Sequence, residues 1–85
     1  MMTVQLDGAL MTTREELHDY LAEQLRLPEH YGRNLDALFD LLTEISEPVT
    51  ISLINSDALG NYGAQVLSVL HDAAAENGCL TISIT

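Results

Sequence analysis

Apolar residues alternate with polar residues in three segments of the chain, and this alternation predicts three β-strands. The first strand covers residues 3–7 and ends at an Asp-Gly turn. The other two cover residues 49–54 and 80–85, where Ser and Thr occupy most of the polar positions. Each predicted strand therefore has one apolar face and one polar face.

Apolar residues spaced by three and four predict helices between these strands. Residues 14–26 form the first helix, with Thr13 in the position of an N-terminal cap. A single helical turn is expected over residues 56–60, and the last helix runs from about Tyr62 to an Asn-Gly pair at 77–78.

Strands that are separated by helices pair mostly in parallel, and right-handed crossovers place successive helices on the same side of the sheet. A sheet covered on both faces would show continuous apolar runs instead of alternation. An 85-residue chain has room for one core. We therefore predict an α/β fold in a single domain, residues 1–85, with a three-stranded parallel sheet and helices packed mainly on one face.

Residues 27–33 contain Pro and Gly without apolar periodicity, which indicates a loop that we call the central loop. Asn34 is well placed to cap a further helix that runs to about Thr43. Tyr31 and Phe39 stand beside carboxylates, as the aromatic anchors of protein interfaces do, although either is equally compatible with the core. We expect Phe39 to be partly exposed, because the preceding leucine already covers the buried face of the helix.

Three carboxylates recur at four-residue intervals on the polar face of this helix. They are Asp36, Asp40 and Glu44, which we call the acidic stripe. Each adjacent like-charged pair costs an isolated helix about 0.2–0.5 kcal/mol, and the helix N-terminus offsets about 0.3–1 kcal/mol of this at Asp36 but little at Asp40. The stripe is either an ordinary solvated face or a surface that binds an external cationic group, and the pattern alone leaves both open.

The formal charge of −10 arises from 13 acidic and 3 basic residues. Such a balance repels phosphate backbones, which argues against a nucleic-acid ligand and favours a cationic partner, although solubility alone also explains acidity. One cysteine, Cys79, cannot form an intrachain disulfide. Because we find neither a secretory signal nor an apolar run of membrane-spanning length, we expect a cytoplasmic protein without membrane attachment.

Residues 27–40 carry a specific resemblance. They read Leu-Pro-Glu-His-Tyr-Gly-Arg-Asn-Leu-Asp-Ala-Leu-Phe-Asp, which resembles the Leu-Pro-x-x-Tyr-Gly-x-Asn-Leu-Asp-Ala-Leu-aromatic-Asp signature of the barstar family. The order of elements and the Gly-Cys pair before the last strand are also similar. The resemblance implies a three-stranded parallel sheet with helices, and tight 1:1 inhibition of a secreted, basic, barnase-like microbial ribonuclease inside the cell that makes it.

The resemblance also implies roles for individual residues. Asp40 matches the central carboxylate that enters the enzyme's active site, and Asp36 matches a neighbour that pairs with enzyme cations. The other matched positions shape the loop or contact the enzyme: Tyr31, Gly32, Asn34, Phe39 and Thr43. Glu44 joins this partner-binding set as the last carboxylate of the acidic stripe.

Three positions depart from the family pattern. His30 stands where the family's namesake carries an aromatic side chain; a histidine also stacks, but it becomes charged near pH 6.5 and then repels cations. Arg33 places a positive charge inside the central loop. The carboxylate expected on the last helix falls at Asp72 only if short gaps are allowed.

Other functions are compatible with parts of the sequence. An enzyme could use Asp36 and Asp40 as an acid/base pair, but no further catalytic partner is evident. A metal site formed by His30 with both aspartates matches no standard ligand spacing. His18 and His71 are interpreted as helix-surface residues without a role. We therefore predict a non-catalytic protein without metal or cofactor; the main alternative is an immunity or regulatory protein against a different basic toxin or nuclease.

Overall fold

The computed structural model describes residues 2–84, in which strands and helices alternate along the chain. The strands are β1 (Met2–Asp7), β2 (Val49–Ile54) and β3 (Leu80–Ile84). The α-helices are α1 (Arg14–Gln24), α2 (Leu35–Thr43) and α3 (Asn61–Glu76). Short 3₁₀ turns follow β1 at Gly8–Leu10 and β2 at Ser56–Ala58. Within residues 2–84, no helix has the length and apolar character needed to cross a membrane.

The sheet is parallel throughout, in the order β1-β2-β3. Val4, Ile51 and Ile82 lie side by side in register and belong to the apolar face, which packs with the helices in the core. Thr3 and Thr81 lie on the opposite face and are exposed. The predicted α/β fold, a three-stranded parallel sheet with its helices mainly on one face, is thus confirmed.

Helix α1 begins as predicted, since the Glu16 N–H donates a hydrogen bond to Thr13 Oγ1 over 3.2 Å. It ends at Gln24, two residues earlier than the predicted boundary at residue 26. Arg26 adopts a left-handed conformation with φ of 54°, and the next amide, of Leu27, donates back into the helix to the Ala22 carbonyl over 2.9 Å. The left-handed residue at the end of a helix is usually Gly or Asn, so the sequence did not predict this conformation at an arginine.

Helix α2 is fixed by its packing against the core and by hydrogen bonds at its C-terminal end. Leu38 and Leu42 are fully buried in the core. Beyond α3, the side-chain amide of Asn77 donates to the carbonyls of Leu42 and Ile45, each over 2.9 Å. The Leu42 carbonyl belongs to the last turn of α2, and Ile45 follows directly after the helix and its C-cap residue, Glu44. The two Asn77 bonds therefore fix the end of α2 against the α3–β3 junction.

Candidate functional site

The acidic stripe lies along α2, whose first turn is fixed by a side-chain cap. Asn34 Oδ1 accepts a hydrogen bond from the Ala37 N–H over 2.8 Å, as predicted. The three carboxylates of the stripe are exposed. Within residues 2–84 none of them has a side-chain hydrogen bond or an ion pair; the salt bridge seen there joins Arg33 to Asp19. The repulsion along the stripe is therefore not relieved internally, and its charge is available to an external cation.

A hollow of about 230 Å³ separates the central loop from α2, and we call it the acidic hollow. Five residues that the sequence singled out line it together: His30, Tyr31, Gly32, Asp40 and Glu44. Two carboxylates of the stripe thus face the central loop across a concave surface. A cationic side chain of a partner would meet both of them there.

The remaining predicted site residues lie around this hollow or away from it. Asn34 and Asp36 line a second hollow of about 380 Å³, together with Arg14 and Tyr62. Three predicted residues line neither hollow: Phe39, Thr43 and Asp72.

Phe39 is half-buried against the core, in agreement with its expected partial exposure. Thr43 donates its hydroxyl to the Asp40 carbonyl over 3.0 Å. Asp72 is exposed on α3. The hypothetical metal set is not brought together either, because Asp36 lines a different hollow from His30 and Asp40.

A buried hydrogen-bonded relay supports the central loop from behind. Nδ1 of His18 lies 2.5 Å from Oη of Tyr31, and Nε2 of His18 lies 2.6 Å from Oη of Tyr62. The relay therefore joins α1, the central loop and α3. In a neutral imidazole one nitrogen donates and the other accepts, so one tyrosine hydroxyl donates to the ring and the other accepts from it.

The relay corrects one sequence interpretation and decides another. His18 is only 1% exposed, so its interpretation as a helix-surface residue was wrong. Tyr31 is 4% exposed, which decides its two open alternatives in favour of the core. His71, by contrast, is exposed on α3 as expected.

Burial favours the uncharged forms of His18 and Tyr31. Desolvation is the largest cause that lowers the pKa of His18, and the nearby charges of Arg14 and Arg33 lower it further. Burial also raises the pKa of Tyr31 to about 12. At neutral pH the imidazole is therefore neutral and this phenol retains its proton for hydrogen bonding.

Further contacts fix the shape of the central loop. The Tyr31 N–H donates to the Pro28 carbonyl over 2.9 Å. Arg33, in a left-handed conformation with φ of 52°, donates from Nε to Asp19 Oδ1 over 2.8 Å. A Cβ added at Gly32 would lie 3.1 Å from Nδ2 of Asn34, the amide that also donates to the Gly32 carbonyl. The loop is thus ordered before any partner binds.

Comparison with known proteins places this arrangement in a family. Residues 1–83 match the family model described as Barstar (barnase inhibitor). The chain belongs to the Barstar family. A Bacillus subtilis (strain 168) protein with the name "Putative ribonuclease inhibitor YrdF" is 41% identical over 81 residues, which cover 89% of each chain. The resemblance that residues 27–40 indicated is thereby confirmed for nearly the whole chain.

The Barstar signature did not point to Arg14, His18 and Tyr62, which support or border the site. A signal for His18 was present, because it stands three residues before Leu21 and seven before Leu25, on the apolar side of α1. Tyr62 is 44 residues away from His18 along the chain. No local pattern announces a contact over that separation.

Proposed function

We propose that this Barstar-family chain is a non-catalytic inhibitor of a basic, barnase-like microbial ribonuclease, which it blocks in the cytoplasm as a single domain in a 1:1 complex. The observation that carries the proposal is the acidic stripe, three exposed carboxylates that have no internal cation. Family membership and the name of the Bacillus relative support it.

The mechanism is mimicry of RNA phosphates by carboxylates. A ribonuclease site that binds phosphate presents cationic side chains, and Asp40 enters it from α2 while Glu44 follows along the acidic hollow. At about 4 Å and an effective dielectric constant of about 20, each pair of unit charges is attracted by about 4 kcal/mol before desolvation. Arginine partners add paired hydrogen bonds to a carboxylate. Opposite net charges speed the encounter and make it sensitive to salt; barnase–barstar is itself the standard example of that effect.

Order in the free protein contributes to affinity. Tyr31 shapes the central loop through the buried relay, while the exposed His30 offers its ring to the enzyme. Because the loop and the first turn of α2 are already fixed, little conformational entropy is lost on binding. Asp36, Gly32, Asn34, Phe39 and Thr43 complete the proposed contact surface, with Asp72 as an outlying candidate on α3.

The test is inhibition of RNA hydrolysis by a panel of small, basic, guanyl-preferring microbial ribonucleases, at low and moderate salt. We expect stoichiometric inhibition of at least one enzyme by the wild type, and its loss in Asp40→Ala. The matched control is Asp57→Ala, which removes the same charge from an exposed position outside the acidic hollow and retains inhibition. If no enzyme is inhibited, the proposal is wrong and an immunity role against a different basic toxin becomes the next hypothesis.

A further inference from the structure

Two of the three basic residues of this acidic chain meet at one place. Arg14 and Arg33 line a hollow of about 360 Å³ between α1 and the central loop, which we call the arginine hollow. His18, Asp19 and Glu15 complete its lining. Arg14 also lines the second hollow beside Asp36. The arginine hollow therefore adjoins the surface proposed to bind the ribonuclease.

Arg14 is positioned by a cation–π contact, which occupies none of its N–H donors. Its guanidinium carbon lies 5.5 Å from the centre of the Tyr62 ring, at stacking distance. The relay in turn fixes Tyr62 through His18. Within residues 2–84 the Arg14 guanidinium makes no hydrogen bond or ion pair, so its five N–H donors remain available to a ligand.

Arg33 is partly engaged. It donates from Nε to Asp19, and no other hydrogen bond from its guanidinium is made within the described residues. The pair is exposed, with 54% of the Arg33 side chain and 64% of the Asp19 side chain accessible. Exposed pairs of this kind contribute little to stability. The other guanidinium nitrogens can therefore bind a second carboxylate while Asp19 stays in place.

The two arginines influence His18 more strongly than the nearby aspartate does, although the chain as a whole is acidic. At His18, which lines the hollow, Arg14 and Arg33 each disfavour the protonated ring more than Asp19 favours it. Two guanidinium groups that line one hollow can together bind an anion. A phosphate on RNA would have to approach past a chain of formal charge −10, whereas an acidic side chain of a docked basic protein arrives with its partner.

We propose that the arginine hollow receives a carboxylate side chain of the inhibited ribonuclease, bound between Arg14 and Arg33. The inference rests on the proposed function and adds a determinant of specificity to it. The interface then carries charge pairs of both directions, with enzyme cations on the acidic stripe and an enzyme carboxylate on the arginines. A ribonuclease without that carboxylate desolvates Arg14 without giving it a partner and leaves Arg33 with Asp19 alone, which selects against such an enzyme.

The experiment uses a ribonuclease that the wild type inhibits and Asp40→Ala does not. We expect Arg14→Gln and Arg33→Gln each to weaken inhibition about tenfold. The control is Arg26→Gln, which changes the net charge equally at an exposed position outside all three hollows. A more negative inhibitor attracts a basic enzyme more strongly, so the control is expected to match the wild type or to bind slightly more tightly.

A second control separates ligand binding from support of the loop. Asp19→Asn removes the negative charge beside Arg33 but keeps the arginine and an acceptor oxygen for it, so we expect unchanged or tighter inhibition. Equal weakening by Asp19→Asn and Arg33→Gln would show that the pair only positions the loop, and would overturn the proposal. Urea unfolding of every variant establishes that its fold is intact.

Further outcomes of the experiment also support or overturn the proposal. On the enzyme, replacing one surface carboxylate by its amide is expected to cost about tenfold against the wild type and nothing further against Arg14→Gln. If both arginine variants inhibit as well as Arg26→Gln, the arginine hollow binds nothing and the proposed function still stands. If no ribonuclease is inhibited, both proposals fall. Binding of an RNA oligonucleotide that Arg14→Gln abolishes would identify a phosphate as the occupant, and the proposal would then be wrong.

Discussion

Acidification to pH 5.5 is expected to destabilise the protein through His18. The native ring is almost fully buried between two tyrosine hydroxyls. The charged groups around it are Arg14 and Asp19 on α1 and Arg33 in the central loop. Because the native pKa is lowered from its ordinary value of 6.5, the unfolded chain takes up a proton in mild acid before the native state does. The contribution of His18 to stability is thus complete above pH 6.5 and is lost as the pH falls toward the native pKa.

The size of the loss follows from one proton. Between the two pKa values the free energy of unfolding falls by at most about 1.4 kcal/mol per pH unit. From pH 7.5 to 5.5 this amounts to at most about 1.4 kcal/mol, since the unfolded histidine titrates only over the lower half of that interval. The contribution of the exposed arginines is screened by solvent. We therefore expect the loss to depend on salt but to persist at high salt, where burial remains.

The assay is urea unfolding followed by far-UV circular dichroism at pH 7.5 and 5.5, in wild type and His18→Gln. Carboxylates titrate alike in both proteins, so the difference between them isolates the histidine. We expect a smaller change with pH in His18→Gln. The control is His71→Gln, which alters an exposed histidine and should behave as wild type. Equal pH dependence in wild type and His18→Gln would refute the reasoning.

Three further substitutions test the supports of the site by urea unfolding. Tyr62→Phe removes one hydroxyl of the relay and should cost about 1–2 kcal/mol, because a buried ring nitrogen loses its partner; an unchanged midpoint would mean that water replaces the hydroxyl. Asn34→Ala removes the cap of α2 and should cost about 0.5–2 kcal/mol, and a smaller loss would contradict a native-state role for that bond. Gly8→Ala places a Cβ 2.3 Å from the Asn55 carbonyl oxygen and should cost about 1–3 kcal/mol. Its control, Gly60→Ala, meets nothing within 4 Å and should be neutral or stabilising.

The strands and their faces were predictable because their pattern is local. Ser and Thr at alternate positions of β2 and β3 specify which face stays open, and a shift by one residue would expose the apolar set. The end of α1 was not predictable in the same way. Its left-handed residue is Arg26, and arginine has no preference for that conformation.

In the candidate site, too, local features were predictable from the sequence and tertiary contacts were not. The acidic stripe and the Asn34 cap follow from residue spacing within one helix. The burial of Tyr31 depends on His18 and Tyr62, which the fold brings together from 13 residues away and from α3. The contact of Arg33 with Asp19 likewise spans 14 residues. Such pairings arise from tertiary packing, so residue spacing alone predicts the charge pattern of the surface but not the support behind it.

The parallel order of the strands also has a consequence for the sequence of folding events. Among β1, β2 and β3 both pairings are parallel, so neither is a hairpin: Val49 pairs with Leu80 on one side and with Met2 on the other. The chain loop that must close to pair β2 with β3 is the shorter one, so it has the smaller entropic cost. Its closure also brings Asn77 to the carbonyls at the end of α2. Pairing of β1 requires the longer closure and delivers α1, with His18, to the central loop. We therefore expect α2 to pack early in folding and the central loop to become ordered last.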